Sequence, residues 1–233
     1  MRVKHRVSKD ELKEDKFQKF VEKAAEFYYA DPKRFWVGTA AVLVVIVGVI
    51  LILQNRPRPV KNPEAELRLM DALSNFYQGN NEYAEGALKE LAGKFPKDNA
   101  GIKAHFYLGS IYFRSDPPRL DEAKREFITF IKRAGNDPVL VPAANIGIAA
   151  CEEQAGNYLK AATIYEGVYQ KNKGSPLGYE ALMAAGRCYR LAGALDRAER
   201  LFSDYLEKEK PSGPKAEDVK AQLAYVRALK SRF

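Results

Sequence analysis

Cysteine is nearly absent: Cys151 and Cys188 are the only two in 233 residues, which excludes a disulfide framework and any zinc site built from cysteine pairs. Histidine is as scarce. His5 lies in the N-terminal tail and His105 at a helix-packing position, and no carboxylate or cysteine constellation is visible in the sequence around either. Nor is there a nucleophile triad, a glycine-rich phosphate loop, a metal-ligand helix or a calcium loop. A catalytic role, a cofactor and a metal are therefore not expected. The charge balance is basic but thinly spread, with 38 Lys and Arg against 30 Asp and Glu. Residues 1–34 hold ten of those bases and seven of those acids, and no segment reaches the density of a nucleic-acid stripe. Nucleic acid is not an expected partner. At 46% hydrophobic with ample aromatics, the chain can bury a core and is not a disordered polymer.

Long apolar runs are also missing, with one exception. Val37 to Leu53 reads VGTAAVLVVIVGVILIL without a charge, and Phe35 and Trp36 extend it. At about 1.5 Å per residue such a helix covers roughly 28 Å, close to the hydrocarbon thickness of a bilayer. Its Val, Leu and Ile residues each favour insertion by about 0.3 to 0.6 kcal/mol. A single transmembrane helix is therefore expected over 35–54, with Phe35, Trp36, Leu43, Ile46, Ile50 and Leu53 as membrane-anchor residues. Asp31 and Pro32 suit its start, and Arg56 with Arg58 its far-side stop. A cleaved signal peptide fits poorly, because the basic region ahead is too long and no small-residue cleavage motif follows.

Upstream, residues 1–34 form a basic tail. Ser8 and Glu11 resemble a capping box, and Leu12, Phe17, Phe20, Val21, Ala24, Phe27 and Tyr28 recur at helical spacing. Lys13, Lys16, Lys19 and Lys23 occupy the other face, an arrangement that suits anionic lipid headgroups or a plainly solvated helix. Downstream, Pro57, Pro59 and Pro63 mark a stiff linker over 55–63.

From residue 64 the sequence repeats. Gly193, Leu195, Ala198, Phe202 and Tyr205 answer Gly156, Tyr158, Ala161, Tyr165 and Val168 at a constant offset of 37. Leu120, Ala123, Phe127 and Phe130 keep the same internal spacings one unit earlier, and Asn81, Ala84, Leu88 and Leu91 earlier still, with Pro96 closing the first unit; the key alanines 84, 123, 161 and 198 step by 39, 38 and 37. The preceding helix of each unit supplies Leu108, Gly109 and Tyr112, then Ile148 and Ala149, then Ala185, Gly186 and Tyr189. Small residues at the eighth and twentieth positions let two antiparallel helices approach, and larger ones beside them fill the contact. The pattern predicts an all-α chain: an N-terminal amphipathic helix, a membrane helix, and an α-solenoid of about four helix hairpins over 64–213. A capping helix over 214–233 carries Glu217 and Asp218 in its first turn and Val219, Leu223, Val226 and Leu229 as its stripe. Asn75, Asn81 and the Pro117-Pro118 pair depart from the pattern in the first two units.

The L-G-x-x-Y and A-x-x-x-F spacings resemble the tetratricopeptide repeat. A basic tail, one span and such repeats together look like the bacterial membrane-anchored repeat proteins that include the ancillary SecYEG translocon subunit. Turns such as Lys94-Phe95-Pro96-Lys97-Asp98 are similar to those of periplasmic cell-division coordinators and outer-membrane assembly lipoproteins. The resemblance implies a protein-binding scaffold or chaperone-like factor in the bacterial inner membrane. It also implies a cytoplasmic tail, periplasmic repeats, and an inner-membrane complex and anionic lipid as further partners. The flanking basic residues, five over 15–34 and four over 54–73, do not themselves fix the orientation. A cytosol-facing docking or import receptor and a self-assembling, homo-oligomeric envelope protein stay open as alternatives.

In this repeat family the first helix of each unit lines the inner wall at its second, fifth, sixth, ninth, twelfth and thirteenth positions. Register transfer selects Leu69, Met70, Leu73, Phe76 and Tyr77 in unit one, and Phe106, Tyr107, Phe113 and Arg114 in unit two. Glu153 and Gln154 follow in unit three, and Met183, Arg187 and Arg190 in unit four. Aromatic and Arg side chains suit a bound peptide or helix, although the unit-one set also suits ordinary packing, and Arg187 with Arg190 suits acidic partners. The clamp that holds chaperone C-termini is not found at matching positions. Cys151 and Cys188 share one register position in adjacent repeats. Stacked helices lie about 8 to 10 Å apart, too far for a disulfide, so both are expected to be buried thiols.

Overall fold

The computed structural model describes residues 19, 28–29, 31–54 and 62–231. The capping box at Ser8 and Glu11, the apolar stripe from Leu12 to Phe27, and Pro57 and Pro59 lie outside these residues. The chain divides into two units, residues 1–58 and 59–233. In the first, Lys19, Tyr28 and Tyr29 are exposed, and α1 (Pro32–Gln54) is a continuous 23-residue helix. Its side chains are described at Lys33 and over Trp36 to Gly48, where Trp36, Leu43 and Ile46 are exposed. Phe35, Ile50 and Leu53 lie on the helix, but their side chains are outside the described set. Among the described residues no helix is long and apolar enough to cross a membrane. The membrane span expected over 35–54 is thus not established by the fold, although α1 covers those residues.

The second unit is helical throughout its described length. Its elements are α2 (Pro63–Tyr77), α3 (Asn81–Lys94), α4 (Asn99–Arg114), α5 (Leu120–Arg133), α6 (Leu140–Gln154), α7 (Tyr158–Lys171), α8 (Pro176–Leu191), α9 (Leu195–Lys208) and α10 (Pro214–Lys230). Pro63 does not close the linker, as its spacing suggested, but opens α2, where a missing N–H costs nothing. Asn62 caps that helix by accepting from the Glu64 N–H at 3.0 Å. Successive helices pair as hairpins, and the first helices of neighbouring hairpins, α2, α4, α6 and α8, also touch one another in sequence. This produces a wall of four first helices backed by the second helices α3, α5, α7 and α9.

The predicted small residues set the approach. Ala84, Ala123, Ala161 and Ala198 are each 0% exposed. A Cβ on Gly186 would stand 2.0 Å from the Phe202 ring, and one on Gly109 would stand 2.9 Å from Phe127. Phe127 is enclosed from the next hairpin too, since a Cβ on Gly147 would meet it at 2.6 Å. The helix-to-helix turns of hairpins one, three and four pass through Gly79, Gly156 and Gly193 at φ between 72° and 84°, a conformation that strains any residue with a Cβ. Hairpin two replaces that turn. Ser115 and Pro117-Pro118 form a longer loop, closed by the Arg119 N–H donating to the Tyr112 carbonyl at 2.9 Å. Arg119 then reaches back across the stack to Glu85 on α3 while its guanidinium lies 4.1 Å over the Tyr112 ring.

Apolar packing falls into two clusters that meet at α6. Ala144 and Cys151 belong to the first with hairpins one and two, and Ala149 to the second, which runs to Val226 on α10. The capping helix buries Val219, Leu223 and Val226, as its stripe predicts. Asp98 joins the first two hairpins. Its carboxylate is buried, accepts from the Ala100 N–H at 2.9 Å as the cap of α4, and from the Asn62 N–H at 2.7 Å. Asp98→Ala removes both bonds and is expected to cost about 2 kcal/mol, read as a lower urea midpoint with an unchanged slope.

Candidate protein-binding wall

Wall positions twelve and thirteen behave differently, although they are adjacent in sequence. At position twelve Phe76 is buried, and Phe113, Glu153 and Arg190 are half-buried. Three of these stitch one first helix to the next element. The Phe76 ring lies 6.1 Å from Tyr107 and 5.6 Å beneath the Arg114 guanidinium. Glu153 takes two bonds from Arg187 on α8, Nε to Oε1 and Nη2 to Oε2, both at 2.9 Å. Arg190 covers the Tyr225 ring of α10 at 5.0 Å. Position thirteen faces outward instead: Tyr77, Arg114, Gln154 and Leu191 are all exposed, Tyr77 by 74% and Leu191 by 46%.

This changes the weight of individual residues. Phe106 is engaged in the core of hairpin two, with ring centroids 5.8 Å from Phe127 and 5.6 Å from Phe130. Met183 is half-buried against the second cluster. Arg187 and Arg190, which their sequence positions offered to acidic partners, already hold Glu153 and Tyr225. Burial pushes the Glu153 carboxyl up, but the hydrogen bond and charge of Arg187 outweigh it and hold the group below the usual carboxylate range. Tyr165 adds a third bond to Glu153 at 3.2 Å. Leu191, at position thirteen of hairpin four, was not selected from the sequence, yet it completes the exposed row. Met70, 66% exposed on α2, stands as a further apolar side chain there.

Two charged groups escape sequence reading. His105 does have a carboxylate: its Nδ1 lies 2.6 Å from Glu126 Oε2, and Arg133 Nη1 stands 3.2 Å from its Nε2. Glu152 occupies the register position of Tyr112 and Tyr189, is only 2% exposed, and is satisfied by Lys160 and Asn157 at 2.9 Å and Lys124 at 3.4 Å. Both arrangements tie second helices to first ones and have no nucleophile within them. The two cysteines are buried free thiols. Burial pushes Cys151 up to about 11, and burial with the Glu153 charge nearby pushes Cys188 up to about 12.

Residues 152–214, from the end of α6 to the start of α10, match the tetratricopeptide-repeat family profile. Among solved structures, the nearly identical TPR-like repeats of a Podosopora anserina protein described as a kinesin light chain superpose with a TM-score of 0.58 at 14% identity, covering 74% of this chain and 90% of that one. A point variant of the same repeats gives 0.57 at 13% identity, covering 72% and 87%. The fold is a tetratricopeptide-like solenoid. No curated protein matches the chain in sequence. Within the solenoid, the selected residues are therefore first-helix wall residues. They divide into a set that holds successive repeats together and a row that stays exposed.

Proposed function

We propose that the protein is a membrane-anchored scaffold that binds other proteins along its first-helix wall. The observation that carries this reading is the exposed row at one register position, Tyr77, Arg114, Gln154 and Leu191, presented by four helices in series. At about 9 Å between stacked helices the row covers roughly 27 Å, the length of about eight extended residues. Its apolar ends and polar middle suit a peptide or helix held by an anchor at each end. The wall residues Phe76, Phe106, Phe113, Glu153, Met183, Arg187 and Arg190 support the row, with Tyr107 beside Phe76.

The anchor is supported by the uncharged run of α1, whose exposed side chains from Trp36 to Val47 would otherwise leave a large apolar surface in water. We place the tail on the cytoplasmic side and the solenoid in the periplasm, at an inner-membrane protein complex, with anionic lipid beneath the tail. A cysteine introduced into the tail should resist an impermeant maleimide in intact cells while Tyr77→Cys reacts, the native thiols being buried. The reverse result would instead support a cytosol-facing docking receptor. Crosslinking in native membranes followed by mass spectrometry should recover other proteins through the row, with fewer crosslinks after Tyr77→Ala and Leu191→Ala. Recovery of self-crosslinks alone would replace the scaffold by a self-assembling structural protein.

A further inference from the structure

On the side of the solenoid formed by the second helices, α7 and α9 leave a groove of about 230 Å³ between them. Four cations and two carboxylates line it: Lys173, Arg197, Arg200 and Lys208 against Glu166 and Asp204. Both acids are hydrogen-bonded, but only Asp204 is paired with a cation. Glu166 accepts the Tyr189 hydroxyl at 2.6 Å, and Asp204 pairs with Lys208 at 2.8 Å. Glu209, next to the groove, accepts the Tyr169 hydroxyl. Among the described residues Lys173, Arg197 and Arg200 have no ion-pair partner. Tyrosine rings hold two of them, Lys173 at 5.6 Å over Tyr169 and Arg197 at 5.8 Å over Tyr189. The rings support the cations without neutralising them, and four cations against two carboxylates leave the groove a net two positive charges.

On α9 the positions 197, 200, 204 and 208 fall on one face of the helix, and the distance from Arg197 to Lys208 is about 16 Å, or roughly five extended residues. The α7 side ends in Lys173, so cations stand on both banks. The neighbouring groove beside α6 and α7 differs, with Asn136, Asn145, Asn172 and Asp137 around its single Lys171. The basic seam thus distinguishes the groove of the last two hairpins from its neighbour.

We propose that this groove binds an acidic segment of a partner polypeptide, with several Asp or Glu residues within about five. Arginine forks match carboxylates in pairs, and the excess positive charge of the seam complements such a segment. A bilayer surface fits less well, because a plane of headgroups reaches the rim and not the tyrosine-walled floor. The proposal does not rest on the first-helix row, which lies on other helices.

The test uses the full chain in neutral-lipid nanodiscs and a fluorescein-labelled Glu-Asp-Glu-Asp-Glu peptide, followed by anisotropy. Binding is expected at low salt, weakening steeply as salt rises, with no binding of the Gln-Asn counterpart. Arg197→Glu with Arg200→Glu should weaken it by about tenfold or more and create binding of a Lys-Arg peptide. Lys173→Glu, beyond the end of α7, should reproduce the loss without touching α9, which covers the case of a misfolded double variant. Tyr77→Ala should leave this binding unchanged, so failure here is separable from failure of the wall. The proposal is overturned if the acidic peptide does not bind. It is equally overturned if the reversals leave binding intact, or if phosphatidylglycerol vesicles or inorganic phosphate displace the peptide at equal charge.

Discussion

Gly178→Ala is expected to lower the melting temperature of the solenoid by about 6 to 12 °C, corresponding to roughly 3 kcal/mol. Gly178 lies at the start of α8, and a Cβ there would stand 2.1 Å from the Asn172 carbonyl oxygen and 2.8 Å from its carbon. These are backbone atoms at the end of α7, so no rotamer change relieves the overlap. Relief requires separating α7 from α8, the pair whose packing joins the third and fourth hairpins. Gly101 is its counterpart at the same register position in hairpin two, with the Phe95 carbonyl oxygen 2.0 Å from the added carbon, and Gly101→Ala should behave alike. Gly86→Ala is the control. Gly86 lies inside α3 with nothing within 4 Å of an added Cβ, so alanine should stabilise by about 0.5 to 1 kcal/mol through helix propensity. Circular-dichroism melts of the three variants decide the matter. Equal, small changes in all three would mean that carbonyl contact does not set the spacing.

The contrast between these glycines marks what a single sequence discloses. Gly109 and Gly186 are legible because their partners, Phe127 and Phe202, hold the same place in the second-helix pattern, four residues after Ala123 and Ala198, so the repeat itself displays the contact. Gly101 and Gly178 meet carbonyl oxygens, which leave no trace in residue types. The same reasoning covers the wall. Register transfer places Tyr77, Arg114 and Gln154 on the first-helix surface, where they are exposed. It does not separate position twelve from position thirteen, because that depends on the tilt between consecutive hairpins. A tilt that buries Phe76 against Tyr107 also turns Glu153 toward Arg187 and Arg190 toward Tyr225. The setting of His105 is hidden for a related reason: Glu126 and Arg133 lie 21 and 28 residues away, on the partner helix of the hairpin. Glu152 is visible as a break in pattern, a carboxylate where neighbouring repeats place tyrosine, but its partners Lys124 and Lys160 lie on the helices before and after α6.

Those carboxylates give the second large expectation, a loss of stability, at least on the order of 1 to 2 kcal/mol, as pH falls from about 4.5 toward 2. Glu85 is the clearest case: its hydrogen bond from Arg119, aided by Lys89, holds the carboxyl at about 2 despite opposing burial. For Glu152 burial pushes up, but Lys160, Asn157 and Lys124 outweigh it; for Glu153 Arg187 does the same, and both groups lie below their ordinary value. A carboxyl whose folded pKa is depressed binds protons more readily when unfolded. Its contribution is therefore complete above the unfolded value and disappears as pH drops through the folded one. Solvent screening reduces the share of Glu85 to on the order of 1 to 2 kcal/mol, and Glu152 and Glu153 add in the same direction. Melting temperatures followed from pH 7 to strongly acidic buffer should fall mainly within this window. The triple variant Glu85→Gln, Glu152→Gln and Glu153→Gln should be less stable at neutral pH but show a clearly shallower acid slope. All three residues bridge different hairpins, Glu85 to Arg119, Glu152 to Lys124 and Glu153 to Arg187. Acid should therefore uncouple the repeats from one another before it unwinds their helices, and near-ultraviolet signals from the tyrosines should change ahead of the helical band. An acid slope identical to that of the parent chain would show that these three links do not carry the coupling.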